Sequence, residues 1–335
     1  AGATGTGTHG SGLHNQSLHA QISAIEFVCA DGSLVTYSRE HQSELLDGCR
    51  LHLGCFGVVS RLTLDVVPYF EGQVFAYEDM GIENFLDALP DLARRCDSLS
   101  AFCYFNRGTC AMSIRHFLPG WDQVTAAPAP TWPLKEGPVG GRPILQQQPN
   151  DDTGGCFTHY VHTCQGPWYE TITQASEGGK ELPMPNPNLQ AEFFVPLALG
   201  PEAVRAAWAA LKSEAQYIHH QELRIVKGDG AWLSATPVDS LAIHFGFHSR
   251  GKDGPLITER RYAKLLEVVP IVERALEKFG ARPHWGKVAP LTFKPARMRQ
   301  LYGEGLTRFR NLCSKHDPEG KFRNTHMQKV LFTDA

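Results

Sequence analysis

Three short stretches of the chain concentrate side chains able to move protons or steady charge. Glu222-Leu-Arg224 sets a carboxylate and a guanidinium two residues apart, a spacing that sends both to one side of a strand. On the residues alone this reads as a solvent-facing ion pair, because charged strand residues usually face water. Leu241 to His248 alternates so that His244, Gly246 and His248 share a face. A histidine there is either a hydrogen-bonded structural residue or a proton acceptor working near neutral pH. The third stretch, Arg282-Pro-His284-Trp-Gly-Lys287, packs an aromatic ring and several donors beside a proline and a glycine. A lysine held in such a partly apolar setting can lower its pKa or hold an anionic oxygen.

A fourth stretch invites a different chemistry. Gly5-Thr-Gly7-Thr-His-Gly10 satisfies the G-x-G-x-x-G pattern of a dinucleotide turn, with Glu26 downstream. That turn works only after a buried strand and before a helix whose N-terminus faces a pyrophosphate. Here Gly12 to Ser17 reads as a turn, and Ile22 to Cys29, Asp31-Gly32 and Leu34 to Tyr37 read as a hairpin. The glycines feed a hairpin, so a nicotinamide-dependent Rossmann enzyme is the weaker alternative.

The elements that must position these groups follow from periodicity. Helices are predicted over Ser43 to Leu53, Ile82 to Cys96 despite Pro90, Pro201 to Gln216, Ile257 to Phe279 and Ala296 to Cys313. Strands are predicted over Val58 to Val67, Ser100 to Phe105, Ala111 to His116, Leu189 to Pro196, Glu222 to Val226 and Ser240 to His248. Leu118 to Gly155 is rich in Pro and Gly and reads as a long loop. The order lacks a regular βαβ repeat, so the expected class is α+β with a large antiparallel sheet flanked by helices.

Bulk properties narrow the partners. Across 335 residues, 32 Lys and Arg stand against 35 Asp and Glu, so no basic field points to nucleic acid. No apolar run is long enough to span a bilayer. Nine cysteines without a C-x-x-C pair argue against structural zinc and a disulfide framework, and favour a soluble protein of the reducing cytoplasm. Neither His159-x-x-His162 nor His219-His220 has the spacing and carboxylate company of a metal site, so no metal is expected.

In order along the chain, THGSG, the Asp31-Gly32 hairpin, LGCFGVVSRLTLDVVP, QGPW, LQAEFFVP, ELRIV, IHFGF, RPHWGK and DPEGKFRN resemble the aldonolactone/alditol oxidase branch of the vanillyl-alcohol-oxidase-type flavoproteins. RPHWGK with the DPEGKF tail is the more specific part. The resemblance implies FAD as cofactor, held by Thr8, His9, Gly10 and Ser11 of the glycine loop, by Ser17, Ser23, Ile25 and Val59, and by His284. Glycines would let the backbone approach the cofactor and offer N–H groups to phosphate. It further implies oxidation of the CH–OH group of a polyol or sugar 1,4-lactone, with O2 as acceptor and hydrogen peroxide as product. Ser11 would face flavin and substrate, Glu222 would anchor the polyol, His244 would accept the hydroxyl proton, and Lys287 and Arg224 would support developing negative charge.

The implied domains are 1–70, the second half of a PCMH-type FAD-binding domain, 71–285, a substrate (cap) domain, and 286–335, a segment returning to the flavin domain. Relatives carry a further N-terminal segment with pyrophosphate contacts and often a histidine bonded to the flavin, so the expectation is of an N-terminally truncated chain. Gly246 stands where polyol-oxidising relatives tend to have a hydroxyl residue, which leaves its substrate-binding role open. A non-catalytic remnant acting as a binding module is the alternative from another class.

Overall fold

The computed structural model describes residues 2–104, 107–118, 132, 135–146, 161–171, 189–247, 250–251, 254–255 and 259–333. Its centre is a ten-stranded sheet formed by residues whose alternation carries two buried faces. After the short helix α1 (Gly2–Gly5) come β1 (Gly12–Gln16), β2 (Ile22–Val28), β3 (Leu34–Ser38), α2 (Ser43–Arg50) and β4 (Val58–Leu64). Then follow β5 (Glu71–Gly81), α3 (Ile82–Arg94), β6 (Ser98–Tyr104), β7 (Thr109–Phe117), β8 (Arg142–Pro143), β9 (Cys164–Pro167) and α4 (Trp168–Thr171). The last third supplies β10 (Gln190–Pro196), α5 (Gly200–Leu211), β11 (Ile218–Lys227), β12 (Ser240–Phe247), α6 (Glu259–Glu277), the short strand Arg282–Pro283 and α7 (Pro295–His316).

The large sheet runs from Arg282–Pro283 through β10, β12, β11, β6, β7 and β5 to β8. Its neighbours along this path are antiparallel. Mixed helix and antiparallel sheet is the α+β class that the element order predicts. One face is apolar: Leu241, Ile243, Phe245 and Phe247 of β12 join Phe193 and Val195 of β10 in a core with Val204 and Leu211 of α5 and Val268, Val272 and Leu276 of α6. Helix α3 adds Phe85, Leu86, Leu89 and Leu92, one stripe at helical spacing that Pro90 does not interrupt. The opposite face of the same strands carries Glu192, Glu222, Arg224 and His244.

A separate three-stranded sheet pairs β3, β2 and β4, and contains the predicted hairpin with Gly32 in the left-handed region at φ 85°. Helix α7 packs back on this N-terminal part: Phe309 meets Phe56 with ring centroids 4.9 Å apart, and the His316 ring lies 2.6 Å from the Tyr37 hydroxyl.

Two local expectations need correction. Gly12 to Gln16 is a strand, not a turn: β1 pairs in parallel with β11, Gly12 opposite Val226 and Gln16 opposite Lys227. Its partner lies far away in the chain, so no local signal marks it. Much of the expected long loop, 119–131, 133–134 and 147–155, falls outside the described residues, as does His248. Within it, however, β8 pairs with β5, and Trp132 donates its indole N–H to His116 at 2.7 Å.

Gly12 ties the glycine loop to the sheet. Its φ of +134° is open to few other residues, and a Cβ there would stand 2.0 Å from the Asp97 carbonyl oxygen. Gly12→Ala should cost at least about 2 kcal/mol of stability, measured by denaturant titration, since backbone strain and a carbonyl clash add.

Candidate active site

The polar face of the sheet is organised by register. His244 lies directly opposite Glu192 on one neighbouring strand and Glu222 on the other. Alternation forces all three onto one side. Glu192 is only 1% exposed and Glu222 3%, so neither carboxylate is solvated. The Glu222–Arg224 pair therefore forms as its spacing predicts but does not face solvent. Arg224 donates Nε to Oε1 at 2.7 Å and Nη2 to Oε2. Burial works against the Arg224 charge, and Glu222 more than offsets it, holding the guanidinium above its ordinary range.

Two loops supply charge to Glu192. The Lys287 ammonium donates to Oε2 at 2.7 Å, and His9 Nε2 lies 3.2 Å from the same oxygen. Burial would raise the Glu192 carboxyl, but His9 and Lys287 outweigh it and hold it well below the usual carboxylate range. The Lys287 loop is stitched to β10 by His284 N to Glu192 O at 3.0 Å and Val288 N to Gln190 O at 3.0 Å. Trp285 anchors it further, donating its indole N–H to the Leu233 carbonyl at 2.8 Å.

His244 sits among these charges as a neutral imidazole. Burial first, then the Lys287 ammonium, depress its pKa well below the ordinary value, against the opposing pull of Glu192. His284 is depressed to about 4 by burial, with Lys287 and His9 opposing Glu192. Its Nδ1 accepts from the Gly286 N–H at 3.0 Å, which leaves the ring proton on Nε2.

Among the described residues, neither ring nitrogen of His244 has a hydrogen-bond partner, nor does Glu192 Oε1. Buried polar atoms are seldom left so without a ligand or water to meet them. Alongside, a narrow cleft lies between the N-terminal loop and the Lys287 loop, lined by Thr6, Gly7, Ser17, His19, His284 and Trp285. A flat ring system with polar edges fits this lining of glycine backbone, small hydroxyls, imidazoles and indole.

The family profile of D-arabinono-1,4-lactone oxidase matches residues 160–330. Alditol oxidase of a Streptomyces species is 31% identical over 335 residues, covering 99% of this chain and 72% of that protein. The chain belongs to the D-arabinono-1,4-lactone oxidase family. L-gulonolactone oxidase of Bos taurus is 24% identical over 354 residues, covering 99% of this chain and 73% of its own length. L-gulono-1,4-lactone dehydrogenase of Mycobacterium tuberculosis is 24% identical over 342 residues, covering 98% and 73% respectively. FAD is the cofactor of this family, and the lining just described suits it.

Against that background the family-derived residues divide. His9, Glu222, Arg224, His244, His284 and Lys287 converge on the polar face and its adjoining loops, and Ser17 lines the cleft. Thr8 and Gly10 are exposed on the glycine loop. Ser11 departs from its expected orientation: its hydroxyl donates to the Leu99 carbonyl and accepts from the Ile225 N–H at 3.1 Å, so it secures the loop to β6 and β11. Ser23, Ile25 and Val59 belong to the small sheet, with Ile25 in the core and Ser23 donating to the Thr63 carbonyl at 3.3 Å. Ile25 lies on the central strand of that sheet, opposite Tyr37 on one side and Leu62 on the other. The His220 ring lies over Gly246, its Cε1 2.3 Å from where a Cβ at 246 would stand.

Glu192 is the residue that sequence reasoning misses. Its strand partners alternate with it legibly, but the groups that make a buried carboxylate tolerable lie 183 and 95 positions away. His9, Glu192 and His284 also bring three ligand-type atoms within 4.8 Å, a grouping that no sequence spacing reveals. The Lys287 ammonium on the same carboxylate supplies positive charge where a cation would otherwise be held.

Breaking one side of a buried pair is costlier than removing both. Glu192→Gln and Lys287→Met should each cost about 3 kcal/mol, and the double variant clearly less than their sum, in a denaturation double-mutant cycle. The buried neutral histidines also set a pH dependence. Because the His284 pKa is lowered on folding, the unfolded chain binds the extra proton first, and stability is lost as pH falls from 6.5 toward about 4. Thermal melting across that range should show the loss, and His284→Gln should lessen it, the remainder coming from His244 and His116.

Proposed function

We propose that this chain oxidises the CH–OH group of a polyol or sugar 1,4-lactone to a carbonyl, with O2 as electron acceptor and hydrogen peroxide as product. The observation that carries this is a buried, neutral, unpartnered imidazole at His244 flanked by the Glu192–Lys287 pair and by Glu222–Arg224. The chemistry FAD supplies when bound is acceptance of the hydride from the carbinol carbon. Thr8, His9, Gly10, Ser17 and His284 would hold it along the cleft, with the Ser23, Ile25 and Val59 region completing the site.

His244 takes the hydroxyl proton at an unengaged ring nitrogen as the C–H bond breaks, which its depressed pKa leaves it free to do. Lys287 and Arg224 provide fixed positive charge for the carbinol oxygen as its proton leaves, and would do the same for the ring that receives the hydride. Each Glu222 oxygen retains acceptor capacity beyond its bond to Arg224, enough to receive a substrate hydroxyl. The binding-module alternative is not favoured, since it has no use for this arrangement.

We assign 1–70 and 286–335 to a PCMH-type FAD-binding part and 71–285 to the substrate part. Support comes from α7 and the C-terminal turn, where Lys321 donates to the Ala30 carbonyl at 2.9 Å and Phe309 packs on Phe56. The β1–β11 pairing nevertheless carries the first segment into the large sheet. All eight cysteines among the described residues are free, which supports a reducing, cytoplasmic setting. Among the described residues no helix is long and apolar enough to cross a membrane.

Adding an alditol or aldono-1,4-lactone without oxygen to the FAD-loaded protein should bleach its visible flavin absorbance. Lys287→Met or Arg224→Met should slow that bleaching by more than about tenfold. Absence of bleaching with any such compound would contradict the proposal.

A further inference from the structure

Among the described residues, the site face holds an imidazole that the reaction does not use. His220 lies on β11 two positions before Glu222, opposite Gly246, in the row next to that of His244. Its ring covers Gly246 so closely that a Cβ there would meet ring atoms Cε1, Nδ1 and Nε2 at 2.3, 2.7 and 2.8 Å. The ring therefore fills the space a side chain at 246 would take. It stands 5.4 Å from the His244 ring and 5.6 Å from the Phe102 ring, between the proton acceptor and an apolar wall.

The backbone is arranged to put it there. The β11–β12 register shifts between Ile218 and His220: Ile218 faces Phe247 while His220 faces Gly246, so one extra residue is accommodated on β11. Such bulges bend a strand and re-aim the side chain beside them. Glycine at 246 and the bulge before His220 both serve the same ring position. Around the ring this face carries the apolar Phe102, Val74, Ala76 and Ala111, with the buried Ser113 and Arg115 further along the same strand as Ala111.

We infer that His220 is a specificity-determining residue, which reads the hydroxyl groups of the substrate at carbons beyond the one being oxidised. The inference rests on the polyol or lactone reading of this site. An imidazole nitrogen can donate or accept a hydrogen bond according to its tautomer, suited to a carbon chain with a hydroxyl at each position. Glycine at 246 is then the partner that gives the ring room, and the two positions act as a unit.

The test uses the FAD-loaded protein with xylitol, sorbitol, D-arabinono-1,4-lactone and L-gulono-1,4-lactone. Flavin reduction is measured without oxygen, and dissociation constants are measured by calorimetry. His220→Phe keeps a ring over Gly246 and removes its nitrogens. It should weaken kcat/KM for the best compound by about tenfold, concentrated in KM, and reorder the panel, since one substrate hydrogen bond is lost. His220→Asn should restore part of the discrimination. Gly246→Ala, whose Cβ must displace the ring, should reorder the panel in the same way, and adding it to His220→Ala should change little further. Melting temperatures identify any variant that fails to fold, and the remaining variants then carry the test.

An unchanged ranking in His220→Phe, or independent multiplicative effects of the His220 and Gly246 changes, would overturn the inference while leaving the oxidase reading intact. A wild-type protein that neither binds nor is reduced by any of the four compounds would overturn both.

Discussion

A carboxylate inside a protein must be surrounded by compensating charge, or it protonates. Glu192 is such a group, placed on the strand next to one edge of the large sheet, and much of the architecture follows from it. Its two cationic or hydrogen-bonding neighbours come from opposite ends of the chain: His9 from the glycine loop and Lys287 from the segment after Arg282–Pro283. Satisfying one buried oxygen thus brings together the N-terminal loop, the last strand of the sheet and the Lys287 loop, and fixes the two walls of the cleft.

The same interaction decides protonation around it. His244 stands between two carboxylates on neighbouring strands, an environment that would ordinarily favour an imidazolium. Each carboxylate, however, is already matched by a cation of its own, Lys287 for Glu192 and Arg224 for Glu222. What remains for His244 is burial and the positive charge of Lys287, and the ring stays neutral. Proton acceptance and charge stabilisation are thus separated onto adjacent groups, so that neither function compromises the other.

Alternation and turn chemistry made a good part of this legible in the sequence. Strict period two placed Glu222 with Arg224 and His244 with Gly246, and Asp31-Gly32 marked a hairpin whose φ requires glycine. Motif order led to the family. What stayed hidden depends on distant pairing. Gly12 to Gln16 has no local strand signature because its partner is β11, and Glu192 is an unremarkable strand residue until His9 and Lys287 approach it. His220 read only as an unpromising metal ligand, since a bulge, which periodicity does not encode, sets its aim. Ser11, expected at the substrate, has its hydroxyl drawn to two backbone groups of the sheet.

The central claim is that a neutral His244 accepts the substrate proton. It is tested most directly by the pH dependence of anaerobic flavin reduction in the FAD-loaded protein between about pH 5 and pH 8. The account predicts a rate that holds its plateau through 6.5, the ordinary histidine value, and declines only at lower pH. His244→Asn should lower the plateau. A half-maximal rate near 6.5, or a plateau unaffected by the substitution, would contradict it.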